Sequence, residues 1–104
     1  MDSGIKQVRI GEFEHQRLKR IAKILEIDLK DLNNKALKSF LEKRDLDRKN
    51  AGYAYLISPN KGKVRSYCFD KALLLKVKRL ATTDGVAENR IIYTSLIRFL
   101  KNIK

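Results

Sequence analysis

The chain has few of the residues on which enzymes and metal proteins depend. It contains one cysteine, Cys68, and one histidine, His15, so an internal disulfide and a cysteine metal cluster are excluded, and no metal site is expected. A thiol nucleophile with a histidine base would require these two residues to meet. The sequence also lacks a glycine-rich phosphate loop, a glycine-flanked serine and paired carboxylates in an apolar setting. It therefore predicts a protein that is not an enzyme and holds no cofactor.

Long apolar runs are also missing. No run approaches the ~20 residues that are needed to cross a bilayer. Residues 1–4 lack the basic and then apolar order of a signal peptide. We therefore expect a cytoplasmic protein without a membrane-spanning segment.

Positive charge, by contrast, is abundant. The 104 residues include 24 Lys and Arg against 12 Asp and Glu, which gives a net charge of +12. Such an excess destabilises a small fold by self-repulsion, and a polyanionic partner relieves it. Nucleic acid is the first candidate for that partner, although an anionic membrane surface or solubility alone would give the same composition. A chain of this length forms one compact domain, residues 1–104.

The rest of the chain is organised around one short stretch, Ile5–Ile10. Val8 and Ile10 alternate with Gln7 and Arg9, and this period of two predicts a strand with one buried face and one polar face. A lone strand of this length is unstable in water, so it needs a partner strand and an apolar layer beneath it. The only comparable run, residues 64–69, is the candidate partner.

Each strand is followed by two amphipathic helix patterns. In the first helix, Leu18, Ile21, Ala22 and Leu25 fall on one predicted core face with Phe13 at its leading end, and the pattern breaks at residues 26–27. The second helix covers residues 29–44, with Asp28 as its predicted N-cap. Its predicted buried stripe consists of Leu32, Ala36, Leu37, Phe40 and Leu41. The intervening polar residues are predicted to stay exposed: Asn33, Asn34, Lys35 and Lys38.

The segment from residue 45 to residue 62 is the predicted linker. Residues 53–57 are strand-forming, and Ser58–Gly62 is a turn signal that contains Pro, Asn and Gly. One interpretation is a hairpin with residues 63–69, which would add an extra strand. The other is an irregular connector whose tyrosines cover an edge of the core.

The second half of the sequence repeats the first at an offset of 59 residues. Apolar positions coincide from the strand to the last helix without a gap, among them Val8 with Tyr67, Ile10 with Phe69, Leu18 with Val77, Leu32 with Ile91 and Leu37 with Leu96. Two unrelated helices would rarely match in this way by chance. We interpret the match as an internal duplication, with a first copy at residues 5–44 and a second copy at residues 63–104. Gly85 suits the left-handed C′ position after the first helix of the second copy.

The repeated unit resembles the ribbon-helix-helix superfamily of DNA-binding proteins. The similarity is sharpest in residues 27–30 leading to residues 36–40, and in residues 85–86 leading to residues 95–99, where the family has a turn, an N-cap and an apolar stripe. It implies an α+β, mostly helical fold in which two antiparallel strands lie over four helices. Two copies imply the single-chain tandem form known from conjugation, a monomer that is its own pseudo-dimer. The second copy departs from the family pattern at the cap, where it has Ala87.

The resemblance also implies a function and a set of site residues. The ribbon would enter the major groove of double-stranded DNA, where Arg pairs with guanine and Gln with adenine. The expected base-contacting residues are Gln7, Arg9 and Ser66. The expected phosphate contacts are Lys6, Lys30, Lys63, Arg65 and Asn89, with the amino ends of the second helices contributing backbone N–H groups. A surface salt bridge is the alternative for Arg9.

The expected role is that of a transcriptional repressor or of an accessory factor in plasmid transfer or partition, with possible side-by-side assembly on DNA. Two other functions stay open. A non-specific binder of RNA or single strands would need stacking aromatics, for which Tyr53, Tyr55 and Tyr67 are the candidates. An antitoxin-like module would instead bind a protein partner.

Overall fold

The order strand, helix, helix occurs twice in the computed structural model, which describes residues 3–46 and 55–102. The elements are β1 (Ser3–Ile10), α1 (Glu12–Ile24), α2 (Leu29–Leu46), β2 (Lys63–Asp70), α3 (Lys71–Asp84) and α4 (Glu88–Asn102). The fold is therefore mostly helical with one small sheet, an α+β arrangement as predicted. No helix in the described ranges combines the length and the apolar character that a bilayer span requires.

The sheet is a two-stranded antiparallel ribbon of β1 and β2. Gln7 lies opposite Ser66, and the pairing extends to Ser3 opposite Asp70 at one end and Ile10 opposite Lys63 at the other. Gln7 and Ser66 are also equivalent positions at the offset of 59 residues. The pseudo-twofold axis that relates the two copies therefore passes through this central pair.

Equivalent residues of the two copies form the core. Both members of several pairs are completely buried: Leu18 and Val77, Leu32 and Ile91, and Leu37 and Leu96. The ribbon contributes Val8 and Ile10 from β1 and their equivalents from β2. Since each copy has one strand and two helices, neither could cover its own apolar side, and the two copies bury each other.

The first helix of each copy ends in the same backbone motif. The Ile27 N–H donates to the Ala22 carbonyl at 3.0 Å, and the equivalent Val86 N–H donates to the Ala81 carbonyl at 3.1 Å. Both motifs require a left-handed residue just before the donor. That residue is Gly85 in the second copy, with φ of 67°, but Glu26 in the first, with φ of 57°.

The structure corrects three predictions about helix faces. Phe13 is 72% exposed and Leu25 is 50% exposed, so neither belongs to the core. Phe13 precedes the buried Ala22 by nine residues, or two and a half helical turns, which places it on the opposite face, and Leu25 lies beyond the last residue of α1. Asn33 is only 1% exposed rather than solvent-facing. It is buried because α2 packs against both β2 and α4, which widens its covered face beyond one stripe.

The predicted hairpin is wrong for the part of the linker that the structure describes. Residues 55–59 form no strand, and β2 pairs with β1 instead. Tyr55 is buried against Phe40, with 6.0 Å between ring centroids, as the alternative of an irregular connector predicted. The Leu56 N–H donates to Thr94 Oγ1 at 2.8 Å, which ties the connector to α4. Tyr53 lies outside the described residues.

Candidate nucleic-acid interface

Alternate residues of the two strands form a solvent-facing surface, which we call the outer ribbon face. The inward positions Val8, Ile10, Tyr67 and Phe69 are buried, so the intervening side chains must point away from the helices. The outer ribbon face consists of Ser3, Ile5, Gln7, Arg9, Val64, Ser66, Cys68 and Asp70. Cys68 and its neighbours there are the residues that alternation assigned to this face.

The three predicted base-contacting residues lie on this face. Gln7 and Ser66 are exposed and paired at its centre, on the pseudo-twofold axis. Arg9 is exposed and lies opposite Val64, one step toward the end of the ribbon. The equivalent of Arg9 in the second copy is Cys68, which lies on the other side of the axis. The guanidinium therefore has no symmetric counterpart on this ribbon.

The Arg9 side chain is held across the ribbon. Its Nη1 donates a hydrogen bond to the Gly62 carbonyl at 2.7 Å. Gly62 permits this approach because a Cβ at that position would lie 2.6 Å from the Ile10 carbonyl oxygen. A guanidinium has five N–H donors, so Arg9 keeps donors for a ligand while this bond orients it.

Two apolar side chains on the outer ribbon face were not among the predicted site residues. Ile5 is 63% exposed and its equivalent Val64 is 51% exposed. They are the outward neighbours of Gln7 and Ser66, so strict alternation along both strands was the signal that could have identified them. Apolar groups at this position can contact the methyl group of thymine.

Lys6 and Arg65, two of the predicted phosphate-binding residues, are equivalent and lie on the inward side of the ribbon. Lys6 Nζ is 3.0 Å from Glu88 Oε1 at the start of α4, and Arg65 Nη2 is 2.5 Å from Glu12 Oε2 at the start of α1. Hydrogen bonds from Gln16 and Arg65 lower the pKa of Glu12 to about 2. Both cations therefore have carboxylate partners within the chain, and both remain about one third exposed.

The other predicted phosphate contacts occupy strand and helix ends. Lys30, near the start of α2, donates to Ser3 Oγ at 2.5 Å and lies 3.4 Å from Asp70, so α2 begins beside one end of the ribbon. Asn89 is the equivalent position in α4 and is exposed, and Lys63 is exposed at the start of β2. The free N–H groups of a helix amino end bind anions. Both second helices thus begin close to the ribbon.

A neutral polar pair supports the ribbon from below. His15 Nδ1 lies 2.8 Å from Tyr67 Oη, and both side chains are buried. Burial and the nearby Arg65 lower the pKa of His15. Burial raises the pKa of Tyr67 to about 12. The pair is therefore uncharged near neutral pH, in keeping with its position under the sheet.

A charged cluster fixes the connector on the far side of the core. Arg44 forms two hydrogen bonds to Asp84, at 2.9 and 3.0 Å, and Tyr55 also donates to this carboxylate. Burial raises the pKa of Asp84, but the hydrogen bonds from Arg44 and Tyr55 outweigh it, so the pKa is lowered overall. Sequence reasoning missed this cluster because its members come from three distant segments and belong to no local pattern.

Among the described residues, no group of three or more His, Cys, Asp or Glu side chains is placed to hold a metal ion. Comparisons with protein-family models, curated proteins and solved structures find no match to this chain. Any functional interpretation therefore depends on the residues of the ribbon and on their surroundings.

Proposed function

We propose that the chain is a tandem ribbon-helix-helix protein that binds double-stranded DNA in a sequence-specific manner through the outer ribbon face. The observation that carries the proposal is an antiparallel ribbon that presents Gln7, Arg9 and Ser66 to solvent on a chain of net charge +12. The major groove of B-DNA admits a two-stranded ribbon, and the floor of that groove distinguishes all four base pairs.

The side chains on the ribbon match the chemistry of base edges. Arg9 can bond to guanine O6 and N7, and Gln7 can bond to adenine N6 and N7. Ser66 can donate to a base or accept from one. Ile5 and Val64 supply apolar contacts beside them. The outer ribbon face thus combines directional polar groups with small apolar ones, as a sequence-reading surface requires.

Phosphate binding is assigned to the flanks of the ribbon. Lys6, Lys30, Lys63, Arg65 and Asn89 surround it, together with the amino ends of α2 and α4. Lys6 and Arg65 reach phosphate only by leaving Glu88 and Glu12, and both pairs are partly exposed, so each exchange exposes little buried charge.

The two copies replace the two subunits of a dimer, so the protein acts as a monomer in this proposal. The conjugation protein TraY is the family member with this tandem form. We propose a role as a repressor or as an accessory factor of plasmid transfer or partition, with side-by-side assembly on DNA. The single-strand alternative gains no support, because Tyr55 and Tyr67 are buried and cannot stack on bases.

The test is a binding titration with duplex DNA selected from a random pool. With about six phosphate contacts, affinity should fall by ~10³ between 50 and 200 mM salt. Arg9→Ala should weaken binding to the selected site by ~1 to 3 kcal/mol. Arg79→Ala is the matched control, because Arg79 is exposed on α3 away from the ribbon. A flat salt response, or equal losses from the two Arg variants, would contradict the proposal.

A further inference from the structure

A groove with a volume of 460 Å³ lies between α2 and α4. Residues at equivalent positions of the two copies line it: Ser39 with Arg98, Phe40 with Phe99, and Lys43 with Asn102. Three such pairs can meet in one groove only where the pseudo-twofold axis leaves the molecule. The groove and the central Gln7–Ser66 pair therefore lie on the same axis, at different surfaces.

The lining combines positive charge with aromatic surface. Lys43, Arg98 and Lys101 contribute cations, and no acidic side chain occurs among the described residues that line the groove. Phe40 and Phe99 form the apolar part of the walls. An uncompensated positive cluster beside aromatic rings is complementary to a ligand that has an anionic head and an apolar body.

The size of the groove distinguishes between classes of ligand. Small-molecule sites have volumes of roughly 300 to 1,000 Å³, and this groove falls inside that range. A folded partner would instead need a broad contact, since stable protein interfaces bury about 800 Å² on each side. The dimensions thus favour a small molecule.

We propose that this groove binds a small organic anion, with a carboxylate or phosphate head directed at the three cations and a flat apolar body between the two phenylalanine rings. None of the residues that line the groove belongs to β1 or β2. The ligand therefore leaves the outer ribbon face free, and the site does not depend on DNA binding.

The probe for the test is anilinonaphthalene sulfonate, an aromatic anion whose fluorescence rises in apolar surroundings, titrated into the full chain without DNA. We expect saturable binding at one site. The combined variant Lys43→Gln, Arg98→Gln and Lys101→Gln should weaken it by about tenfold or more, since each lost interaction is worth up to about 1 kcal/mol. Ser39→Phe should also abolish binding, because the new ring fills the groove and keeps all three charges.

The matched control removes the same number of charges elsewhere. Lys76→Gln, Lys78→Gln and Arg79→Gln alter exposed residues of α3 that do not line the groove, and binding should change by less than about twofold. Uncharged naphthalene methanol should bind the unaltered chain far more weakly than the sulfonate. Circular dichroism should show that every variant is folded. Equal losses in the two triple variants, or a titration that does not saturate, would overturn the proposal. Saturation by a polyglutamate peptide but not by the sulfonate would assign the groove to a protein partner instead.

Discussion

The left-handed residue at Glu26 offers a direct test of the internal duplication. The equivalent position of the second copy holds Gly85, and the backbone angles of the two residues agree within 10°, since φ is 57° and 67°. A residue with a Cβ in this conformation loses ~1 to 2 kcal/mol relative to glycine. Glycine gives back ~0.4 to 1 kcal/mol through the larger entropy of the unfolded chain. Glu26→Gly should therefore raise the free energy of unfolding by ~0.5 to 1 kcal/mol.

The reverse change should have the opposite sign. No atom lies within 4 Å of the Cβ that Gly85→Ala would add, so backbone conformation alone should decide its effect. We expect a loss of ~0.5 to 1 kcal/mol. For a domain of this size, such changes correspond to shifts in Tm of about 3 to 6 °C in each direction.

The assay is equilibrium urea unfolding followed by far-UV circular dichroism. Glu26→Ala is the control, because it removes the carboxylate and retains the left-handed strain. Its stability separates the effect of charge near the end of α1 from that of the backbone. If Glu26→Gly is no more stable than Glu26→Ala, the backbone explanation is refuted.

Three further predictions concern titration, the charged cluster and the ribbon ion pair. Because burial lowers the pKa of His15, the unfolded chain takes up the proton first, and stability should be full above about pH 6.5 and fall as the pH drops below it; His15→Gln should flatten this fall in urea titrations at a series of pH values. Asp84→Asn should cost about 3 kcal/mol in thermal or urea unfolding, because it leaves Arg44 with its charge buried and unmatched, whereas Glu88→Gln should cost less than about 1 kcal/mol because its pair with Lys6 is partly exposed. The same Glu88→Gln variant should bind DNA severalfold more tightly, with a steeper salt dependence, because it releases Lys6 for phosphate; weaker binding would show that the ion pair positions Lys6 instead.

Sequence periodicity predicted the elements and their duplication because local burial dictates both. The alternation around Val8 and the equivalent positions Leu37 and Leu96 required no knowledge of tertiary contacts. Helix faces were less certain, since an apolar residue at the end of a helix, such as Phe13, is not covered merely because it is apolar. Asn33 was buried by the contact of α2 with two other elements, which its own segment does not encode.

The candidate site divides in the same way. Alternation was sufficient to place Gln7, Arg9 and Ser66 on one face. The partners of the charged residues were not predictable, because Arg9 binds a carbonyl that is 53 residues away and Arg44 binds a carboxylate that is 40 residues away. Such contacts depend on the register of the two strands, and only the structure supplies that register.

The most direct test of DNA recognition by the ribbon is selection of binding sites from a random duplex pool with the unaltered chain, Arg9→Ala and Cys68→Ala. The two altered residues are equivalent positions on opposite sides of the pseudo-twofold axis. We predict an asymmetric consensus, in which Arg9→Ala relaxes one position at a cost of ~1 to 3 kcal/mol and Cys68→Ala costs much less. A palindromic consensus, or equal losses from the two substitutions, would contradict recognition by the outer ribbon face.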